Sequence, residues 1–257
     1  MIARLLLIAS TMLALCAPAQ AERLITTLST SRVLIQSNFT GTDVVLFGSV
    51  ERDAQTVARR GGYDIVVTVT GPRENILTFR KERLFGIWVN ADSRTFVKAP
   101  SYLTVLSNRT ITDIADINTL RRTQTGLARI LLPQEISGDI ADSIRDDPFR
   151  QAFLRLKIER NLYRETQNGV TLLTPALYRA AIPIPDNAPT GNYDIDVKLF
   201  ADGALLSRQQ TAMEIVKVGF EQFVANAARD YGLIYGLATA LMALLTGWFA
   251  SVVFRKD

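Results

Sequence analysis

The sequence contains no histidine and a single cysteine, Cys16. Because Cys16 lies in a segment with the pattern of a cleaved signal peptide, the mature chain is expected to have neither residue type. These absences exclude disulfides, thiolate nucleophiles, histidine-containing catalytic triads and haem ligation by histidine. They also exclude zinc or copper sites built on imidazole or thiolate. We therefore expect no cofactor and no metal site, and a fold stabilised by its own hydrophobic core.

A strong excess of charge of one sign is also missing. The formal net charge is +4, and part of it belongs to Arg4, Arg255 and Lys256 at the two ends of the chain. The remaining charge is close to balanced, which is not typical of a protein that binds nucleic acid. The glycines form neither a Gly-x-Gly-x-x-Gly fingerprint nor a Walker motif, so no nucleotide-binding loop is predicted.

Residues 1–21 predict a signal peptide. A basic residue precedes the apolar run Leu5–Leu15, and Ala19-Gln20-Ala21 has the small residues of a cleavage site. One alternative is a retained N-terminal anchor. A second is a lipoprotein signal at Cys16, although Leu15 is large where such signals carry a small residue.

The C-terminal segment 231–254 predicts a transmembrane helix. It contains no charged residue, and about 20 apolar residues suffice to cross a bilayer as a helix. The segment ends at the basic pair Arg255-Lys256, which is typical of a cytoplasmic tail, here residues 255–257. A cleaved signal followed by this span predicts that residues 22 to about 230 are exported, with 219–230 as a juxtamembrane helix.

Small residues recur along one side of the predicted span. They are spaced by four, three and four residues, which keeps them on a single stripe: Gly232, Gly236, Ala240, Ala243, Gly247 and Ser251. Small residues at this spacing let two membrane helices approach closely. The stripe predicts packing against another membrane protein or against a second copy; the alternative is that small residues are simply abundant in bacterial spans.

The exported part begins and ends with strand-like patterns. In residues 22–110, apolar and β-branched runs alternate with turn signals such as Gly61-Gly62 and Asn90–Ser93. Residues 167–218 return to strands around an Asp202-Gly203 hairpin turn. The pattern predicts a mainly β fold, an immunoglobulin-like antiparallel β-sandwich. The second region either completes the first sheet pair or packs on it.

Residues 111–166 predict a helical insertion. One helix is expected over Asp113–Leu131, and a second follows Asp147 as its cap, with Pro148 at the first position and an end near Glu165. The second helix has two apolar faces, one with Phe149, Phe153, Leu156 and Tyr163, the other with Leu154, Ile158 and Leu162. Two such faces predict burial on two sides, or one face left open for a partner.

Carboxylates are the main acid–base groups left to the mature chain. Asp139, Asp142, Asp146 and Asp147 lie close together, without the spacing of a calcium loop. They are typical of a solvated helix entry. A glycosidase needs two carboxylates that face each other across a cleft, and nothing in the sequence indicates such a pair.

Three segments carry a resemblance to a known family. They are Leu34–Gly48, which contains Phe39-Thr-Gly41 and Leu46-Phe-Gly48, then Ala99–Arg109, and then Ile114–Asp116. With the two terminal segments, the chain resembles a family of alphaproteobacterial transmembrane proteins of about this length. The family has no assigned catalytic residues. The resemblance implies that members are often encoded beside sulfite-exporter-type permeases, and therefore an accessory role to a transporter. A physical alternative is that the motif supplies core aromatics and turn or bulge glycines.

These features together predict a non-enzymatic interaction or accessory protein of the bacterial inner membrane. The N-terminal domain is expected in the periplasm and the C-terminus in the cytoplasm. The expected partners are the inner membrane and another membrane protein, such as a transporter, or a second copy bound through the transmembrane helix. The alternatives are a periplasmic Asp/Glu-dependent hydrolase that acts on glycan, and a ligand-binding module.

Overall fold

The computed structural model describes residues 22–52, 62–136, 139–142, 147–219, 224 and 227–253. The predicted signal peptide and cytoplasmic tail lie outside these residues, as does most of the predicted juxtamembrane helix. The strands described are β1 (Glu22–Leu28), β2 (Arg32–Ile35), β3 (Thr42–Arg52), β4 (Asp64–Thr70), β5 (Arg73–Leu84), β6 (Ile87–Pro100), β7 (Leu103–Ser107), β8 (Pro133–Ile136), β9 (Asp139–Asp142), β10 (Tyr163–Thr166), β11 (Val170–Leu172), β12 (Leu177–Ile184), β13 (Gly191–Ala201) and β14 (Ala204–Lys217). The helices are α1 (Ile111–Ile114), α2 (Ile117–Arg122), α3 (Pro148–Glu159) and α4 (Gly232–Val253), with a 3₁₀ turn at Leu127–Arg129.

The strands form three sheets. Sheet A has the order β1-β3-β12-β11, sheet B the order β10-β7-β4-β13-β14-β2, and sheet C the order β5-β6-β8-β9. The prediction of a mainly β fold with one C-terminal apolar helix is confirmed. The immunoglobulin-like arrangement is not confirmed, because the sheets are curled. The pairing is also not purely antiparallel, since β10 runs parallel to β7 and β14 parallel to β2.

Sheets A and B enclose the main hydrophobic core. Strand β4 is buried on both faces, as its continuous apolar run requires. Ile65, Val67 and Val69 point into the core shared with sheet A, whereas Val66 lies on the outer face of sheet B. There it packs in a second cluster with Val105, Ile111, Ile114, Ala115, Leu120 and Phe200. Helices α1 and α2 therefore cover part of that outer face.

Strands from the two predicted β regions pair directly. Strand β12 lies antiparallel beside β3, and β13 lies antiparallel beside β4. The predicted turn between β13 and β14 is present, with positive φ angles at Asp202 and Gly203. The predicted turn at Asn90–Ser93 is wrong, because these residues lie within β6. The hairpin turns instead at Phe85-Gly86.

The helical insertion predicted over 111–166 is helical only in part. Strands β8, β9 and β10 fall within it, and the helix expected over Asp113–Leu131 is divided into α1, α2 and the 3₁₀ turn. Ala115 is extended, and Gln124 and Gly126 have positive φ angles, so no continuous helix can pass through them. These breaks let the segment follow the curved outer face of sheet B.

Helix α3 begins as predicted and ends earlier than predicted. The Asp147 carboxylate accepts the backbone N–H of Arg150 as an N-cap, and Pro148 is the first helical residue. The helix stops at Glu159, because Asn161 adopts the left-handed conformation that favours helix termination. Phe149 and Phe153 are buried, but Leu156 and Ile158 are about half exposed. Burial on two sides is therefore wrong, and one side of α3 faces solvent.

Candidate functional site

The glycines of the Phe39–Gly48 motif have structural roles. A Cβ on Gly48 would lie 2.3 Å from the ring of Tyr178 and 2.6 Å from the Ile25 carbonyl oxygen. Only glycine therefore lets the Tyr178 ring cross β3. Gly41 has a φ of +102°, which favours glycine at the turn before β3. Of the two aromatic residues, Phe39 packs partly buried against the core and Phe47 is 39% exposed.

The second motif also stabilises the fold. Arg109 donates two hydrogen bonds to the buried carboxylate of Asp64, from Nε at 2.7 Å and from Nη2 at 2.5 Å. Asn108 adds a bond from Nδ2 to the same carboxylate at 3.1 Å, and its Oδ1 accepts the N–H of Ile65 at 2.9 Å. The hydrogen bond with Asp64 raises the pKa of Arg109. These contacts join the end of β7 to the start of β4.

A long β-hairpin extends from the central strands of sheet B. The β4–β7 ladder continues through Gly71, whose N–H donates to the Tyr102 carbonyl at 2.8 Å, and through Ser101, whose N–H donates to the Pro72 carbonyl at 2.8 Å. Beyond them, β5 pairs with β6 from Arg73 opposite Pro100 out to the last pair, Leu84 opposite Ile87. The hairpin therefore starts at one end of sheet B and continues past it.

The basal half of this hairpin packs against α3. Phe96 stacks on Phe153 with ring centroids 4.3 Å apart. Lys157 of α3 donates to the Ser101 carbonyl at 3.2 Å and lies 3.6 Å from a carboxylate oxygen of Glu74. Burial lowers the pKa of Lys157, and Glu74 opposes that change. The base of the hairpin is thus held in place by apolar and polar contacts.

The distal half of the hairpin is exposed and apolar. Leu77 and Phe79 share one face of β5 and are 54% and 51% exposed. We define the hairpin tip as residues 84–89; its large apolar side chains are Leu84, Phe85, Ile87, Trp88 and Val89, with Phe85 98% exposed. Phe85 also has a φ of +48°, which is rare for a bulky side chain. Packing within the described residues does not explain an apolar tip of this size.

The strand-like pattern predicted for residues 22–110, with a turn at Asn90–Ser93, did not reveal this tip. The signal that could have found it is Gly86 between two strand-like runs, a turn of the two-residue hairpin type. Placing the turn there leaves Phe85 and Trp88 at the far end of two long strands. In the part of the chain that the structure describes, the apolar side chains at this end remain exposed.

Helix α4 carries all six residues of the predicted small-residue stripe. At 100° per residue they fall within an arc of about 100°. A Cβ added to Gly232, Gly236 or Gly247 would meet no atom within 4 Å, so this side of the helix is open. The segment Gly232–Ser251 has a mean hydropathy of 1.7 and is long and apolar enough to cross a membrane. Its two threonine hydroxyls donate within the helix, Thr239 to the Gly236 carbonyl and Thr246 to the Met242 carbonyl.

A cleft of about 920 Å³ lies on the outer face of sheet B, between β13 and β14 and the segment after α2. Five cations and two carboxylates line it: Arg73, Lys98, Arg122, Lys198, Arg208, Asp194 and Asp196. The Asp196 carboxylate binds Arg208 at 2.6 Å through one oxygen and Lys198 at 3.2 Å through the other. Burial lowers the pKa of Lys198, and Asp196 opposes that change. The buried Thr68 hydroxyl, also in the lining, has no hydrogen-bond partner among the described residues.

The cleft does not have the geometry of a glycosidase. Asp194 and Asp196 are two residues apart on one strand, so their side chains lie side by side on the same wall rather than on opposite walls. Both oxygens of Asp196 already bind cations. Of the acidic cluster in the sequence, Asp147 caps α3, Asp139 and Asp142 lie on β9, and Asp146 is outside the described residues. Within the described ranges, no group of three His, Cys, Asp or Glu residues is placed to hold a metal ion.

A comparison with known protein families is consistent with α4 being a membrane-spanning helix. Residues 23–256 match the sequence model of the family described as "Putative transmembrane protein (Alph_Pro_TM)". Among curated proteins, none matches the chain. The matched segment begins in β1 and extends past α4, so it includes both the β-rich domain and the span. The resemblance carried by the Phe39–Gly48 and Ala99–Arg109 segments is thereby confirmed.

Proposed function

The chain belongs to this family of transmembrane proteins, and we propose that it is a single-pass protein of the bacterial inner membrane with a non-enzymatic accessory role. The β-rich domain lies in the periplasm, the C-terminus lies in the cytoplasm, and α4 packs against another membrane protein such as a transporter. The single observation that supports this role best is the open stripe of small residues along α4, because it offers a close-packing surface over the depth of the membrane.

Site-directed photo-crosslinking in cells tests the stripe. A photoreactive residue is placed at Gly236 on the stripe or, as a control, at Ala238, which lies about 170° away from the stripe's centre. Crosslinks to one defined membrane protein from position 236 and not from 238 are expected. The Gly236→Leu, Gly247→Leu double variant should lose that association, whereas Ala238→Leu should keep it. Equal crosslinking from both positions would contradict a role for the stripe.

The orientation is tested by labelling single cysteines, since the mature chain is expected to have none. Ala204→Cys lies at the exposed β13–β14 turn, and Asp257→Cys lies at the C-terminus. In spheroplasts, a membrane-impermeant maleimide should label the cysteine at 204 and leave the cysteine at 257 unlabelled until the membrane is opened. The reverse pattern would place the β-rich domain in the cytoplasm.

A second candidate function is the binding of a small anion in the outer cleft. It is favoured by the excess of three positive charges among the lining residues and by the unpaired hydroxyl of Thr68. Inorganic phosphate and citrate serve as probes against the full chain in detergent micelles. Binding that is lost in the Lys98→Gln, Arg122→Gln variant would support this function, and unchanged thermal unfolding with both probes would exclude these two anions as ligands.

We also infer that sheets A and B are a divergent immunoglobulin-like sandwich. The hydroxyl of Tyr193, near the start of β13, donates to the Pro189 carbonyl at 2.6 Å. A tyrosine bonded to the backbone a few residues upstream is the corner found at the start of a core strand in many such sandwiches. A crystal structure in which β2 and β14 pair with strands of sheet A, and not with strands of sheet B, would contradict the sheet assignment on which this inference rests.

A further inference from the structure

The hairpin tip has the composition of a segment that enters a membrane interface. Its apolar side chains include Phe85 and Trp88, which are 98% and 67% exposed, and also Leu84 and Ile87. Aromatic and aliphatic side chains of this kind partition into the boundary between headgroups and acyl chains, and tryptophan is enriched there. Leaving all four of these side chains exposed to water is unfavourable, and soluble monomeric proteins rarely expose such a contiguous apolar patch.

Basic side chains lie at the height where lipid phosphates would be. Lys81 and Arg83 are two residues apart and share one face of β5, and Arg80 precedes them. They are one to four residues from Leu84, which corresponds to about 3–14 Å along the strand. Interfacial segments bury their apolar side to about 5–10 Å, so these cations would meet the anionic headgroups. Glu82 is paired with Arg80 at 2.9 Å, which leaves a net positive charge at this level.

The base of the hairpin lies at the end of sheet B where the chain leaves for the span. Ile215 of β14 lies opposite Gly191 of β13, and a Cβ on Gly191 would lie 2.6 Å from Pro72 at the hairpin base. Strand β14 ends two residues later, at Lys217. Since β4, β13 and β14 are neighbours in the sheet, the hairpin and the exit to the span are about 10 Å apart.

The lengths of the two segments are compatible with a shared membrane surface. Strand β5 has 12 residues, which span about 40 Å. The segment 218–231 between β14 and α4 reaches at most about 40 Å, because residues 227–230 are helical. The connection to α4 therefore holds the domain close enough to the membrane for the hairpin tip to reach the bilayer surface.

We propose that the hairpin tip, residues 84–89, inserts into the interface of the bilayer that α4 crosses, with Lys81 and Arg83 on anionic lipid headgroups. The strained backbone of Phe85 keeps an aromatic ring at the outermost position of the turn. Insertion gives the domain a second attachment besides its C-terminal tether, and this fixes the orientation of the domain on the membrane. The proposal requires the family's membrane span but no particular partner protein.

The experiment uses Trp88 as a reporter. The chain has two tryptophans, and Trp248→Phe removes the one in α4, so fluorescence comes from Trp88 alone. The full chain is reconstituted into vesicles of phosphatidylethanolamine and phosphatidylglycerol. The expected results are a blue-shifted Trp88 emission, protection from aqueous acrylamide, and quenching by lipids brominated near the top of the acyl chain. Phe85→Ser with Ile87→Ser should abolish all three.

The matched control moves the reporter to the other end of the sheet. In a Trp88→Phe, Trp248→Phe background, Ala204→Trp places the only tryptophan at the exposed β13–β14 turn, where emission should stay that of a water-exposed residue. A Trp88 as accessible to acrylamide as this control would overturn the proposal. Blue-shifted emission without quenching by brominated lipid would also overturn it, since it would mean that a protein surface covers the tip.

Discussion

Replacing Tyr178 by phenylalanine is expected to leave the β-rich domain unchanged in stability or to stabilise it by about 1 kcal/mol. The Tyr178 hydroxyl is fully buried and has no hydrogen-bond partner among the described residues. A buried polar group without a partner costs about 1–3 kcal/mol, and phenylalanine keeps the ring while removing that group. Burial also raises the pKa of Tyr178, with no hydrogen bond to offset it.

Two other buried tyrosines are matched controls. The hydroxyl of Tyr163 donates to the Pro100 carbonyl at 2.7 Å, and that of Tyr193 donates to the Pro189 carbonyl at 2.6 Å. Phenylalanine at either position removes a hydrogen bond and leaves a carbonyl without its donor, which should cost about 1 kcal/mol or more.

The assay is urea unfolding of the full chain in one detergent, followed by circular dichroism of the β-rich domain. The midpoint for Tyr178→Phe should equal or exceed that of the parent, while the two control variants should unfold at lower urea. A Tyr178→Phe midpoint as low as that of Tyr193→Phe would refute the reasoning, because it would mean that the Tyr178 hydroxyl is bonded in the folded protein.

Four further predictions follow from contacts and burial in the same domain. Gly48→Ala should destabilise the domain by more than about 3 kcal/mol, because the added Cβ meets the Tyr178 ring and a backbone carbonyl. The control Gly62→Ala, which has open space around the Cβ, should be nearly neutral in the same urea assay. Arg109→Met should lower the free energy of unfolding by about 2 kcal/mol, because it removes two hydrogen bonds to the buried Asp64 carboxylate. Arg32→Met, which breaks an exposed pair with Glu214, should lower it by less than about 1 kcal/mol. Equal losses in the two variants would contradict the role of Asp64 burial. Burial raises the pKa of four tyrosines, to about 12 for Tyr102. The stability they contribute is fully present below their ordinary pKa of 10 and is lost as pH rises through the folded-state values. The tyrosinate absorbance of these four residues, out of seven tyrosines in the chain, should therefore appear together with unfolding above pH 10, and ionisation of these four in the folded domain would contradict this. The lowered pKa values of Lys157 and Lys198 act in the opposite direction. Between these folded-state values and the ordinary value of about 10.5, the urea midpoint should rise slightly with pH, because the unfolded chain binds more protons there.

The features that the sequence predicts well are those with local causes. The cap Asp147 with Pro148 and the turn at Asp202-Gly203 each follow from the conformations that these residue types adopt. The span over 231–254 follows from length and apolarity alone, and α4 begins one residue later than predicted. The family resemblance depended on segments whose residues prove to be structural, such as Gly48 beside Tyr178.

The features that the sequence misses depend on distant residues. The segment 133–136 is a strand because β6 offers it a hydrogen-bonding edge, and nothing in its own sequence requires this. Leu156 and Ile158 lie at opposite edges of the buried face of α3 and are about half exposed. Each belongs to an apolar repeat that also contains buried residues, so the pattern alone could not tell which of its members are covered. The cleft depends on β13, β14 and the segment after α2 coming together, and alternation within β13 shows only that Asp194 and Asp196 share a face.

The most direct test of the accessory role is crosslinking of the tagged full chain in its native host, followed by purification in mild detergent and mass spectrometry. The account predicts a stoichiometric membrane protein, such as a permease, that is recovered with the parent and lost with the Gly236→Leu, Gly247→Leu variant. Recovery of the chain alone at high yield, or of a partner that the stripe variant still binds, would contradict it.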